Sequence, residues 1–155
     1  MNTLQTKGIK IAPVTLHVGY GTFLPIESDE VEEHVMEPEY YEISSESVEI
    51  INNAGRVIAV GTTSTRTLES AAGNDGYISS PSGFTNLFIY PGYKWKYVDQ
   101  MITNFHVPKS TLLMLVSSFA SARNTDGRDF ILKAYETAKK EGYRFFSFGD
   151  SMMIV

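Results

Sequence analysis

A chain of 155 residues with 43% hydrophobic and 20% charged side chains can bury a real core and is neither disordered nor fibrous. It has no cysteine, which excludes disulfides, thiolate catalysis and cysteine zinc sites, and His17, His34 and His106 lack metal-ligand spacing, so no metal is expected. The net charge of −5 argues against nucleic acid until its distribution is read: residues 27–55 hold ten carboxylates and no Lys or Arg, leaving 8 acidic against 13 basic residues elsewhere. That basic balance permits contact with a polyanion. With no run of about 18 apolar residues and no basic-then-apolar leader, the expectation is a soluble, cytoplasmic protein without membrane contact.

Met1 to Gly8 reads as the last turns of a helix closed by Gly8, and a helix beginning so near the first residue suggests a piece of a longer protein. Ile9 to Val18 alternates as a strand, ending in the loop HVGYGTF, where Gly19, Gly21 and Thr22 allow either a tight turn or close backbone approach to a ligand. Ser28 to His34 predicts a helical turn capped by Ser28, and Glu39–Ile43 a short strand. Ser45 to Asn53 follows as a helix with Val48 and Ile51 inward, Ile50 being a further candidate for the core, closed by Gly55. Arg56–Val60 is a short apolar run of the type buried on both faces of a mostly parallel sheet.

Gly61, Thr62, Thr63, Ser64, Thr65 and Arg66 come next and lead into a helix that contains Glu69. More hydroxyls stand here than one helix cap requires, so N–H groups aimed at a phosphate or carboxylate are expected. The spacing is not that of a Walker A loop. Residues 72–83 should be a loop, Leu87–Tyr90 a strand ended by the Pro91-Gly92 turn, and Trp95–Ile102 another strand. Tyr90, Tyr93, Trp95 and Tyr97 interleaved with Lys94 and Lys96 suit base stacking with phosphate contact, or equally an amphipathic strand.

From Ile102 the chain passes through Asn104, Phe105, His106 and Pro108, where a strand must give way, and enters an apolar helix behind Lys109, Ser110 and Thr111. That helix start favours an anion. After a polar break at 121–127, Asp129–Lys140 forms an amphipathic helix with Phe130, Ile131, Ala134, Tyr135 and Ala138 inward. Arg144–Phe148 is a last strand with Gly149 and Asp150 at its mouth, Asp150 being a cap or a catalytic carboxylate, and Met152–Val155 is an apolar terminus. Alternating strands and helices give a single α/β domain over residues 1–155, a three-layer arrangement around a mostly parallel or mixed sheet, with the ligand crevice where the strand ends meet.

Four stretches, VTLHVGYGTF, VGTTSTRTLES, NLFIYPGY with ITNFHVPKSTLLMLVSSFA, and YRFFSFGDSMMI, together resemble the S-adenosylmethionine:tRNA ribosyltransferase-isomerases of queuosine biosynthesis, the QueA family. The resemblance runs from about Lys7 to Val155 and corresponds to the C-terminal half of the family's chain, without its N-terminal segment and inserted β-barrel. It implies S-adenosylmethionine as a consumed cosubstrate and tRNA as partner. The ribosyl group would be transferred to, and isomerised on, 7-aminomethyl-7-deazaguanine in the anticodon, giving epoxyqueuosine and releasing adenine and methionine. The positions matching the family's motifs are His17, Gly19, Gly21 and Thr22; Gly61, Thr62, Thr63, Ser64, Arg66 and Glu69; Tyr90, Pro91, Gly92 and Tyr93; Asn104, Phe105, His106, Lys109 and Ser110; Gly149 and Asp150.

Such chemistry needs a base or acid, and histidine is the side chain nearest neutrality, with His106 ahead of His17. Asp150 and Glu69 would hold ribose hydroxyls or the methionine ammonium; Arg66 or Lys109 would hold its carboxylate or a tRNA phosphate. Two departures stand out: Met36-Glu37-Pro38-Glu39 replaces the family's M-H-S-E, and 122–129 is longer than the family's join into the last helix. Two other readings compete. One is a truncated, non-catalytic module binding S-adenosylmethionine or RNA; the other, a hydrolase using Ser64 or Ser110, lacks any G-x-S-x-G elbow. A separate N-terminal half or a homodimer would cover the apolar surface left by the shorter chain.

Overall fold

The computed structural model describes residues 2–23, 26, 30–123 and 126–155. Six strands and five α-helices alternate in it as an α/β fold: α1 (Asn2–Thr6), β1 (Val14–Leu16), β2 (Glu39–Ile43), α2 (Ser45–Asn52), β3 (Ile58–Val60), α3 (Thr62–Ala71), β4 (Ser82–Thr85), β5 (Gln100–Asn104), α4 (Thr111–Ser121), α5 (Gly127–Lys140) and β6 (Ser151–Ile154). The strands form two three-stranded sheets, one antiparallel in the order β1-β2-β4 and one mixed in the order β3-β5-β6, where β3 and β5 run parallel and β6 antiparallel. No barrel is present among the described residues.

One core joins both sheets. Tyr41 and Ile43 from the antiparallel sheet share it with Ala59, Met101 and Ile154 from the mixed sheet and with Leu68, Leu115, Val116 and Phe119 from α3 and α4. Period-two alternation governs the mixed sheet: Ala59, Met101 and Ile154 stand in register and are buried, while Ile58, Val60 and Met153 turn outward. α4 starts where the apolar run predicts, with Ser110 as cap accepting from the Leu113 amide at 3.2 Å.

Several expectations change under tertiary constraint. The strand of residues 9–18 shrinks to β1, and that of 56–60 to β3, an edge strand with Ile58 and Val60 exposed rather than a strand buried on both faces. Leu87–Tyr90 is not a strand: β4 forms earlier, from the last two residues of the expected loop onward, where Ser82–Thr85 pair antiparallel with β2. Thr85 then ends β4, its Oγ1 accepting from the Leu87 amide and bonding Ser70. Residues 95–99 leave strand geometry to wrap a buried carboxylate, so pairing starts only at Gln100. Arg144–Phe148 is a turn, with Phe146 at φ 67° and its amide on the Phe105 carbonyl; the apolar terminus supplies β6 instead.

Phe130 on α5 is exposed; Ile131, Tyr135 and Ala138 carry that helix's packing. Residues 31–33 form a short 3₁₀ turn, and the expected cap at Ser28 lies outside the described residues. The Pro91-Gly92 turn forms as expected, with Gly92 at φ 102° and the Tyr93 amide bonded to the Tyr90 carbonyl.

The two faces of the mixed sheet separate in a denaturation experiment. Met101→Ala, at a fully buried position, is expected to cost about 2–5 kcal/mol, whereas Met153→Ala on the outward face stays within about 0.5 kcal/mol in urea unfolding of the chain.

Candidate functional site

The strongest charge arrangement is one that the motif pattern alone does not show. Glu39 opens β2 in the same phase as Tyr41 and Ile43, so its carboxylate points into the core. There Oε1 accepts from the Gly19 amide at 2.7 Å and the Thr22 hydroxyl at 2.6 Å, and Oε2 accepts from Arg66 Nη1 at 2.6 Å. Both ionic side chains are buried, at 4% and 2% exposure for Arg66 and Glu39. Arg66 also donates through Nε to the Leu87 carbonyl and through Nη1 to Thr22. Its Nη2 is buried without a partner among the described residues, beside a small recess lined by Met36, Phe88, Thr111 and Leu115.

Gly19, Thr22 and Arg66 are therefore engaged inside the protein, where a ligand was expected. The HVGYGTF turn cradles the protein's own carboxylate.

Glu69 departs from expectation in the same way. It is fully buried on α3 and accepts from the Lys96, Tyr97 and Val98 amides at 2.9–3.0 Å and from the Tyr93 hydroxyl at 3.1 Å. Four donors fill its lone pairs, so it holds the 93–98 segment and has no capacity left for a ribose or an ammonium. Burial first, then the Glu69 charge and hydrogen bond, push the Tyr93 phenol above its ordinary range. Tyr93 is thus a neutral donor to Glu69 and not a free stacking ring. Tyr90 remains half-buried against Phe88.

A different group of predicted residues does come together. Because β3 and β5 are parallel and β6 antiparallel, the C-terminal ends of the first two and the start of the third share one edge of the mixed sheet. Gly61–Ser64, Asn104–His106 and Gly149–Ser151 meet there. Gly61, at φ 95°, is the cap residue of α3, and its amide bonds the Ile102 carbonyl at 2.8 Å. No hydroxyl caps the helix: Ser64 and Thr65 bond back to the Val60 and Gly61 carbonyls. Thr63 is exposed and Asn104 Nδ2 donates to the Asp150 carbonyl at 3.2 Å.

His106 is half-buried at this edge. Its Nε2 lies 3.0 Å from the Thr103 hydroxyl and its amide donates to the Tyr135 hydroxyl. Burial lowers the imidazole to about 4, so the ring is neutral near pH 7. Asp150 accepts from the Arg144 amide at 2.8 Å and guanidinium at 3.0 Å, which holds its carboxyl below the usual carboxylate range. It is an ionised acceptor and cannot be a proton donor at neutral pH.

His17 stands elsewhere, exposed on the outward face of the antiparallel sheet beside Tyr40. Phe105 is core, packed on Phe145 and Tyr135. Ser110 is a buried cap, whereas Lys109, at φ 57°, is exposed next to it. Thr103, Tyr135 and Arg144 position the site without any sequence signal. Among the described residues no group of three His, Asp or Glu could hold a metal ion.

The gathering of Gly-hydroxyl and polar turns at the strand ends of a mixed sheet is the place where α/β folds build ligand crevices. Residues 1–154 match the family described as queuosine biosynthesis protein, and the chain belongs to that family. The S-adenosylmethionine:tRNA ribosyltransferase-isomerase of Macrococcus caseolyticus is 54% identical over 158 residues, covering 99% of this chain and 45% of the relative. That of Desulfitobacterium hafniense is 55% identical over 159 residues, covering 100% and 45%. The crystal structure of an S-adenosylmethionine tRNA ribosyltransferase from Thermotoga maritima superposes with a TM-score of 0.72 at 39% identity, over 99% of this chain and 48% of that one. The chain thus spans less than half the length of these relatives.

Two measurements test the assignment of roles. Glu39→Gln leaves Arg66 buried without its counter-charge and is expected to destabilise the chain by about 3–5 kcal/mol, while the double replacement Glu39→Leu with Arg66→Met recovers most of that loss. His106 takes up its proton less readily folded than unfolded, so stability is full above the unfolded value near 6.5 and falls as pH drops toward about 4. Unfolding titrations of the parent and His106→Asn should diverge only across that window, with the parent steeper by at most about 1.4 kcal/mol per pH unit.

Proposed function

We propose that this chain is one α/β domain forming the C-terminal half of a tRNA ribosyltransferase-isomerase. It would act in the cytoplasm on tRNA carrying 7-aminomethyl-7-deazaguanine in the anticodon. The reaction consumes S-adenosylmethionine, moves and isomerises its ribosyl group onto the base to give epoxyqueuosine, and releases adenine and methionine. The observation that carries this reading is the identity of 54% and 55%, along essentially the whole chain, to relatives bearing that name. No helix of the described residues is long and apolar enough to cross a membrane.

The roles follow from which groups are still open. His106 is the candidate base: a neutral imidazole can take a proton from carbon beside a sulfonium, whose positive charge acidifies that position. Its burial disfavours the imidazolium, so the transfer draws on the acidity that the sulfonium gives the neighbouring carbon. Asp150 further suits a ribose hydroxyl or the methionine ammonium. Gly61, Thr62, Thr63 and Ser64 offer amides and hydroxyls at the start of α3, and Asn104 and Gly149 line the same edge. Lys109 is the exposed cation for the methionine carboxylate or a phosphate, since Arg66 is committed to Glu39. His17, Tyr90 and Gly92 lie outside this group and are assigned no step.

Adenine release is the decisive readout. Incubation with S-adenosylmethionine and the modified tRNA, followed by chromatography, should yield adenine and methionine in equal amounts. His106→Ala should lower kcat about 10²–10⁴-fold with little change in KM, and unaltered turnover would remove His106 from the chemistry. Heat of binding in calorimetry without adenine would identify a non-catalytic module that binds the cosubstrate or RNA.

A further inference from the structure

The two ring nitrogens of His106 stand in different surroundings. Nε2 lies 3.0 Å from the Thr103 hydroxyl. Nδ1 bonds no described residue and is not enclosed, so it is the ring atom open to solvent. The Tyr135 hydroxyl accepts from the His106 amide at 3.0 Å and fixes the backbone from which the ring hangs. Because the ring is neutral near pH 7, one nitrogen carries a hydrogen and the other is bare. Which is which depends on the direction of the bond to Thr103.

Thr103 sits on the inner face of β5 at 3% exposure. Its hydroxyl carries one hydrogen and can also accept. Among the described residues Nε2 is the one hydrogen-bond partner of that hydroxyl. If the hydroxyl accepts from an Nε2 hydrogen, its own hydrogen is left buried with nothing to bond, and an unmade bond at a buried donor is the costly case. If it donates to a bare Nε2, both groups are satisfied. The ring hydrogen then sits on Nδ1, where solvent or a ligand can take the bond. The second arrangement leaves no orphan.

We propose that Thr103 is a positioning residue that fixes the His106 tautomer: its hydroxyl donates to Nε2 and holds the resting ring with its hydrogen on Nδ1. The free chain therefore presents His106 at the polar edge as a neutral hydrogen-bond donor, suited to an oxygen or nitrogen lone pair of a ligand. One consequence rests on the reading of His106 as the base. Nδ1 offers a lone pair only in the other tautomer, with the hydrogen on Nε2 and Thr103 turned to accept from it. When Nδ1 takes the proton from carbon, Thr103 stays the acceptor for Nε2–H of the imidazolium. Thr103 thus holds the base back in the resting chain and supports it once charged.

Nitrogen NMR of the chain made with isotope-labelled histidine reads the tautomer directly, since bare and hydrogen-bearing ring nitrogens resonate far apart. His106→Asn identifies the His106 signals by their loss. Near neutral pH the expected spectrum shows the Nδ1–H form of His106 in an excess of about tenfold or more. Thr103→Val, which keeps the shape and removes the hydroxyl, should move the ring to the Nε2–H form that free histidine favours in water. Thr103→Ser should restore the parent pattern. A parent ring in the Nε2–H form, or as an even mixture, overturns the proposal whether or not Thr103→Val folds. So does a folded Thr103→Val chain whose ring keeps its hydrogen on Nδ1. The base is judged separately: unaltered turnover of His106→Ala removes it and leaves the tautomer as measured.

Discussion

The buried pair of Glu39 and Arg66 is the constraint on which the fold's geometry depends. It joins four segments distant in sequence: β2 through Glu39, the 19–22 turn through Gly19 and Thr22, α3 through Arg66, and the strand-free segment at Leu87. Two charges taken out of water are tolerated only when their lone pairs and protons find partners, and here the carboxylate has three donors. Removing either partner leaves a bare charge in the core, so the pair enforces one arrangement of these segments more than it adds net stability. Through Thr22 it also reaches the helix that follows the polar edge, since the Thr111 hydroxyl bonds the Thr22 carbonyl.

Glu69 does for the other side of α3 what Glu39 does for the first. Its ring of three amides and one phenol pulls residues 93–98 out of strand geometry and onto the helix, which delays β5 until Gln100. α3 thus carries two buried ionic side chains three residues apart, Arg66 bonded to β2 and Glu69 to the 93–98 segment. Its N-terminus is left to present Gly61 to Ser64 at the edge where Asn104, His106 and Asp150 also stand. The acidic and basic residues that look most like ligand contacts are the ones that hold the scaffold rigid behind that edge.

The polar edge and the bare apolar face belong to the same sheet. The polar turns stand at one end of β3, β5 and β6, while Val60, Ile102 and Met153 make a row on the outward face of the same strands. Period-two alternation thus divides these three strands between a buried face and an outward apolar row.

The sequence by itself determined the alternation of strands and helices, the start of α4 behind Ser110, the turn at Pro91-Gly92, and the packing stripe of Ile131, Tyr135 and Ala138. All of these are local: they follow from periodicity, capping and backbone restriction over a few residues. Only the tertiary structure decided that Glu39 and Arg66 face inward to one another and Glu69 to loop amides, that 87–90 and 144–148 are not strands, and that His17 and His106 lie on different sheets. The phase of Glu39 with Tyr41 and Ile43 was a legible hint of a buried carboxylate, but its partners come from segments 17 to 27 residues away. Which donor meets a buried charge is settled by chain packing in three dimensions, where the cost of an unpaired ion overrides local propensity.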